Sequence, residues 1–159
     1  MPINIPERAQ VSTKSKRYSG LGVGSANVDR VRCVVAREGR YLLVQHDSRR
    51  PENKGKWALP GGRLKSREAP RTGLRRELAE ELRLRLPYLV EIGDWWHKDE
   101  NHRIFGCDSS TDVAWFNTDE ILAIAWLTYE EVEQLAAAAR LRTGFELAAI
   151  AEFQRKRSD

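Results

Sequence analysis

One stretch constrains this chain more than all the rest. In the line GGRLKSREAPRTGLRRELAEEL, residues Gly62, Glu68, Arg76, Glu77, Leu78, Glu80 and Glu81 keep the spacing G-x5-E-x7-R-E-U-x-E-E, where U is aliphatic. Pro70 suits the first turn of a helix, and Leu74, Leu78 and Leu82 recur every four residues as an apolar stripe that must face a core. Glu77, Glu80 and Glu81 then fall together on the flank of that stripe. Carboxylates at i, i+3 and i+4 repel, each pair costing roughly 0.2–0.5 kcal/mol on an ordinary helix, so a positive group belongs among them. Magnesium takes oxygen ligands and keeps several waters and phosphate oxygens, which a few carboxylates on a rigid helix suit. A glycine loop ahead of such a helix is a place to hold a divalent metal against phosphate. The competing reading is a solvated helix laced with salt bridges, since Arg76 lies four residues before Glu80 and Arg85 four after Glu81. The carboxylates alone do not choose between the two.

The whole spacing does. At average usage an exact residue match has roughly a 5–7% chance, so six exact matches arise by accident in about one chain in 10^5 of this length. The segment resembles the Nudix box, whose full pattern continues with x-G-U. Leu84 fills the last aliphatic place, Arg83 stands where the pattern has glycine, and Arg67 stands where a glycine commonly precedes the first glutamate. Glycine there lets the chain leave the helix with positive φ, and arginine in that conformation costs roughly 1 kcal/mol or takes another exit.

The resemblance implies an α/β fold, an α/β/α sandwich around a mixed β-sheet. It implies hydrolysis of a diphosphate linked to another moiety, with Mg2+ or Mn2+ as cofactor. Carried over residue by residue, Glu77, Glu80 and Glu81 would be metal ligands, one of them doubling as base. Gly61 or Gly62 would add a backbone carbonyl, Glu68 a nearby carboxylate, and Arg76 would orient the glutamates. The box covers a small part of the chain and speaks to family more than to substrate.

Composition agrees with one compact enzyme domain. A chain of 159 residues that is 41% hydrophobic can build a real core, and no apolar run approaches the length of a membrane span. Cys33 and Cys107 are too few for a disulfide framework and are read as reduced thiols in a cytoplasmic protein. His46, His97 and His102 show no zinc spacing. The net charge of +4 is unevenly spread: residues 49–85 hold 12 Lys or Arg against 5 Asp or Glu. That basic excess surrounds the proposed metal site and would steer a polyphosphate toward it, although abundant arginine can also simply solvate a surface. No helix-turn-helix, zinc-finger or aromatic RNP signature supports a nucleic acid partner.

Residues 1–27 read as a flexible basic arm, broken by Pro2, Pro6, Gly20, Gly22 and Gly24, with a single domain over 28–159. RVRCVVAR and RYLLVQH predict a hairpin turning at Glu38-Gly39, and Trp57-Ala58-Leu59 a short strand entering the glycine loop. LPYLVEIGDWWH, RIFGC, DVAWFN and LAIAWL read as strands. Thr128-x-x-Glu131 and Thr143-x-x-Glu146 read as capping boxes opening two final helices. Outside the box, Glu120 is the candidate for one more carboxylate, with Asp119 as its competitor. Arg63 and Arg103 are candidates for phosphate, and Trp96 and Phe105, with Trp95, for stacking on a base. Trp57 reads as core. The expected substrate is a small nucleotide, a nucleoside triphosphate or its oxidised form. RNA 5′ ends, GDP-sugars and a non-catalytic nucleotide-sensing role are the alternatives. Many proteins with this box are homodimers, a state these residues do not specify.

Overall fold

The computed structural model describes residues 27–158, and the arm expected over 1–27 lies, but for its last residue, outside them. The chain runs through β1 (Arg30–Arg37), β2 (Arg40–His46), β3 (Gly61–Arg63), α1 (Pro70–Leu82), β4 (Val90–His97), β5 (Glu100–Asp108), β6 (Ile121–Leu127), α2 (Tyr129–Ala137) and α3 (Glu146–Ser158). Glu38 and Gly39 both take positive φ, 52° and 75°, the two-residue turn whose twist matches its flanking strands.

The sheet order is β4-β5-β1-β2-β6. β1 and β5 are parallel and the other pairs antiparallel, so the sheet is mixed. β1 meets β2 only at its far end, Ala36↔Tyr41 and Arg37↔Arg40. Its first half pairs instead with β3, Arg30↔Arg63, Val31↔Gly62 and Arg32↔Gly61. The two long strands therefore splay, and the glycine loop fills the split. Strand alternation sends Val31, Cys33, Val35, Leu42 and Val44 to one face, where they pack on Leu74, Leu78 and Leu82 of α1. Val34, Ala36 and Leu43 go to the other, against Trp95, Val132, Phe145, Ile150 and Phe153. The result is the expected α/β/α sandwich.

Two expected strands differ. Trp57-Ala58-Leu59 contributes only isolated bridges, Val44↔Ala58 and Trp57↔Leu141, and the regular pairing begins two residues later at Gly61. DVAWFN forms no strand. Its polar ends are spent elsewhere, because Asn117 N donates to Glu81 O at 2.8 Å and Trp126 Nε1 donates to Asp112 Oδ1 at 2.8 Å. Trp57 is only partly buried against the core. The Thr128 capping box is complete. At Thr143 only the reach-back half forms: Glu146 accepts from Thr143 N and Gly144 N, while Thr143 Oγ1 accepts from Phe145 N instead of the third residue of the box.

Both arginines that stand in glycine places are left-handed, Arg67 at φ 62° and Arg83 at φ 50°. Arg83 N donates to Ala79 O and Leu84 N to Leu78 O, which closes α1. The Arg83 guanidinium lies 3.9 Å from the Trp115 ring centroid, a contact that offsets part of the strain. Arg67 is exposed and has no such contact. Arg67→Gly is therefore expected to raise stability by about 1 kcal/mol, read as a higher urea midpoint with unchanged turnover, whereas Arg83→Gly should gain less.

Candidate active site

At the split in the sheet, α1 presents Glu77 and Glu81 to Gly61 and Gly62. Together with Arg63, Asp119, Glu120 and several cations they line a cavity of about 460 Å³. The close approach is what the glycines are for. A Cβ on Gly62 would lie 2.6 Å from the Glu77 carboxyl carbon, and a Cβ on Gly61 would lie 2.0 Å from Val31 O. Gly73 does the same inside α1, where a Cβ would lie 2.2 Å from Leu64 Cδ2 and 2.8 Å from Glu68 Oε1.

Arg76 ties the glutamates together. Its Nε and Nη2 donate to the two oxygens of Glu68 at 2.7 and 2.8 Å, and its Nη1 donates to Glu77 at 3.1 Å and Glu80 at 3.2 Å. The Arg76 guanidinium holds the Glu68 carboxyl down, at about 2. Glu68 and Glu80 are thus consumed by Arg76, and neither lines the cavity. Glu77 and Glu81 are different: burial first, then each other's presence for Glu77 and Glu120 for Glu81, push both up to about 7. Glu81 is only 5% exposed, and the expected Glu81–Arg85 pair does not form, because Glu81 turns inward to His46. The salt-bridge-laced helix accounts for Arg76 with Glu80 and fails for Glu81.

These two carboxylates fit a divalent ion. They converge in a glycine cradle and resist ionising together without a cation. Among the described residues no three His, Cys, Asp or Glu side chains form a ready cage, since Glu80 points to Arg76. Magnesium needs no such cage, being held by one or two carboxylates with waters and phosphate.

The other expected residues divide. Glu120 and Asp119 stand at the cavity wall, in a turn whose Glu120 O accepts from Asp47 N. Arg63 also lines it, with Nη2 2.6 Å from Glu100. Arg103 is committed elsewhere, its Nε and Nη2 donating to both oxygens of buried Asp94. Phe105 is fully buried in the α1-side core, so it has no face to offer a base, and Trp95 is likewise core. Trp96 is exposed on β4 but does not line the cavity.

Three residues that spacing did not reveal complete the site: Arg32, Arg142 and His46. Arg32 is 2% exposed; its Nη1 donates to Leu59 O and its Nε to His102 Nδ1. A lone Arg inside the apolar run RVRCVVAR was the available signal. His46 Nε2 lies 3.1 Å from Glu81 Oε2. Burial, then Arg32 and Arg142, hold the imidazole down at about 3, so this is a hydrogen bond from a neutral ring that orients Glu81. His46→Ala is expected to lower kcat about tenfold with little change in KM, and His46→Gln, which keeps a donor, to recover most of it.

A NUDIX domain family model matches residues 26–147. Nucleoside triphosphatase NudI of Enterobacter sp. (strain 638) is 31% identical over 118 residues, 64% of this chain and 82% of that protein. A MutT-like protein of Streptomyces ambofaciens is 36% identical over 110 residues, 65% of each chain. Among solved structures, a NUDIX hydrolase from Nitrosomonas europaea superposes with a TM-score of 0.65 at 22% identity, covering 82% of this chain and 90% of that one, a likeness of fold. Members of the family generally use a divalent metal. With the box on α1, the glycine loop in the split sheet and a match across most of the length, the chain belongs to the Nudix hydrolase family.

Proposed function

We propose that this protein hydrolyses a phosphoanhydride bond in a small nucleotide, a nucleoside triphosphate being the leading candidate, with Mg2+ as its ion and Mn2+ able to replace it. One observation carries the reading: a buried carboxylate pair that favours a cation faces, across one cavity, a wall of arginines that favours an anion. The name of the Enterobacter relative, a nucleoside triphosphatase, supports the substrate class.

Glu77 and Glu81 would hold the ion together with a carbonyl of the Gly61-Gly62 loop, while Arg76 fixes Glu77 from behind. Bound there, a divalent ion supplies charge neutralisation at the phosphate oxygens and activation of water. Arg32 and Arg142 are placed to hold the polyphosphate, and positioning with charge stabilisation is most of what phosphoryl transfer asks of a protein. Glu120, exposed at the mouth and held loosely by Asn117 Nδ2 at 3.4 Å, is placed to take the proton of the attacking water and pass it to solvent. Glu80, anchored on Arg76, serves the site by completing that clamp. We place the activity in the cytoplasm, because Cys33 and Cys107 are buried free thiols. Among the described residues no helix is long and apolar enough to cross a membrane.

The test is product analysis over a panel of nucleoside triphosphates, nucleotide sugars, ADP-ribose and dinucleoside polyphosphates, with and without magnesium. Metal-dependent release of pyrophosphate or phosphate from the triphosphates is the expected result. Binding of nucleotide without turnover of any panel member would turn the reading toward a sensor.

A further inference from the structure

Beside the glutamate cavity, and continuous with it through Arg30, Arg32, Asp47, Arg49, Arg63 and Arg142, lies a second cavity of about 530 Å³. Arg50, Asn53, Lys98 and His102 line the second and not the first. Its walls are the loop after β2, the β4–β5 turn and the segment before α3. Seven cationic side chains line it against two carboxylates, Asp47 and Glu100. Glu100 is already spent, since Arg30 Nε and Arg63 Nη2 donate to its two oxygens at 2.9 and 2.6 Å. That leaves Asp47 alone among Arg32, Arg49, Arg50, Lys98 and Arg142.

The imbalance is built into the wall. Arg142 is half-buried, and its guanidinium has no hydrogen-bond or ion-pair partner among the described residues. Burial, then Arg30, lower its affinity for the proton, and Arg50 adds to the effect, while Glu146 and Glu81 oppose it in part. Cations that outnumber the carboxylates near them in a partly dry pocket repel, and a bound anion recovers that energy. Polar groups wait beside them. Asn53 is 8% exposed and lines the cavity, its side-chain amide without a hydrogen-bond partner among the described residues, and His102, 2% exposed, has a buried Nε2 without a hydrogen-bond partner. No Trp, Tyr or Phe lines this cavity. It offers charge and hydrogen bonds rather than a flat apolar face, which suits a phosphate better than a base.

Resting on the hydrolytic reading above for the neighbouring glutamate site, we propose that this second cavity binds a phosphate carried by the substrate away from the anhydride that is cut. The preferred substrate is then a nucleotide phosphorylated at two places: a nucleoside 5′-triphosphate with a 3′-phosphate, or the same group as the first phosphodiester of a 5′-triphosphorylated oligonucleotide.

The test is calorimetric binding of AMP and adenosine 3′,5′-bisphosphate to the wild-type chain and to Arg50→Ala and Lys98→Ala, two residues that line the second cavity and not the first. Turnover of ATP, 3′-phosphorylated ATP and the dinucleotide pppApA is measured alongside. The bisphosphate is expected to bind about tenfold or more tightly than AMP, as charge-assisted hydrogen bonds to one added phosphate allow. The gap should narrow in both variants and shrink as salt rises. Equal affinities in the wild type would overturn the second site whatever the turnover shows. Absence of turnover with the binding gap intact would remove hydrolysis and leave the second site standing. A turnover preference for 3′-phosphorylated ATP alone assigns a phosphate monoester, and a preference shared by pppApA assigns the phosphodiester source as well.

Discussion

Replacing Glu81 with glutamine is expected to slow turnover by about 10^2–10^4-fold while making the metal-free protein harder to unfold at pH 8. The two effects have one cause. The Glu81 carboxyl is pushed up from 4.5 to about 7, chiefly by burial. A carboxylate with a raised folded-state pKa contributes stability below its unfolded value, and that contribution is lost as pH rises through the folded one. At pH 8 in a chelator the wild-type chain therefore carries a buried charge that Glu81→Gln lacks. At ~1.4 kcal/mol per pKa unit the variant should gain about 1–3 kcal/mol, and this gain should vanish by pH 4. Magnesium should raise the urea midpoint of the wild-type chain and leave that of the variant unmoved. Near-normal turnover would remove Glu81 from the chemistry, and a variant less stable than wild type at pH 8 in chelator would overturn the buried charge assigned to it.

The second large effect separates two adjacent glycines. At Gly62 an added Cβ meets the end of the Glu77 side chain at 2.6 Å, and at Gly61, where φ is 144°, it meets the backbone at Val31 O at 2.0 Å. A carboxylate can swing away, whereas a strand cannot. Gly62→Ala is thus expected to fold within about 1 kcal/mol of wild type while losing turnover by about 10^2-fold, because Glu77 is displaced from its ion. Gly61→Ala should cost about 3 kcal/mol or more through strain and lost β1–β3 pairing. Urea melts and initial rates on the two variants make the comparison, and equal losses of stability would contradict the assigned roles.

The box was legible because its spacing maps directly onto one helix and one loop, where period and chemistry coincide. The hairpin was legible because Glu38-Gly39 is a local signal. What escaped were groups whose role comes from the sheet rather than from neighbours in sequence. Arg32 reaches the cavity because β1 splays from β2, and Arg142 because the segment before α3 returns to Trp57 through Arg142 N to Trp57 O at 2.8 Å. Phe105 and Arg103 went the other way. Alternation along β5 buries Phe105 under α1, and cross-strand register sets Arg103 opposite Asp94. Neither register nor the identity of a facing strand is written in a local window. DVAWFN misled for a related reason, since its apolar residues had no strand edge to join and Asn117 was claimed by the end of α1.

The most direct test is the initial rate of pyrophosphate or phosphate release from a nucleoside triphosphate as magnesium is titrated into chelator-treated protein. The expected result is no turnover in chelator and saturable recovery with magnesium in the wild-type chain, with Glu77→Gln and Glu81→Gln showing little recovery at any concentration. A rate that ignores chelation, or that survives in both variants, would contradict the assignment of the Glu77–Glu81 pair as the seat of the chemistry.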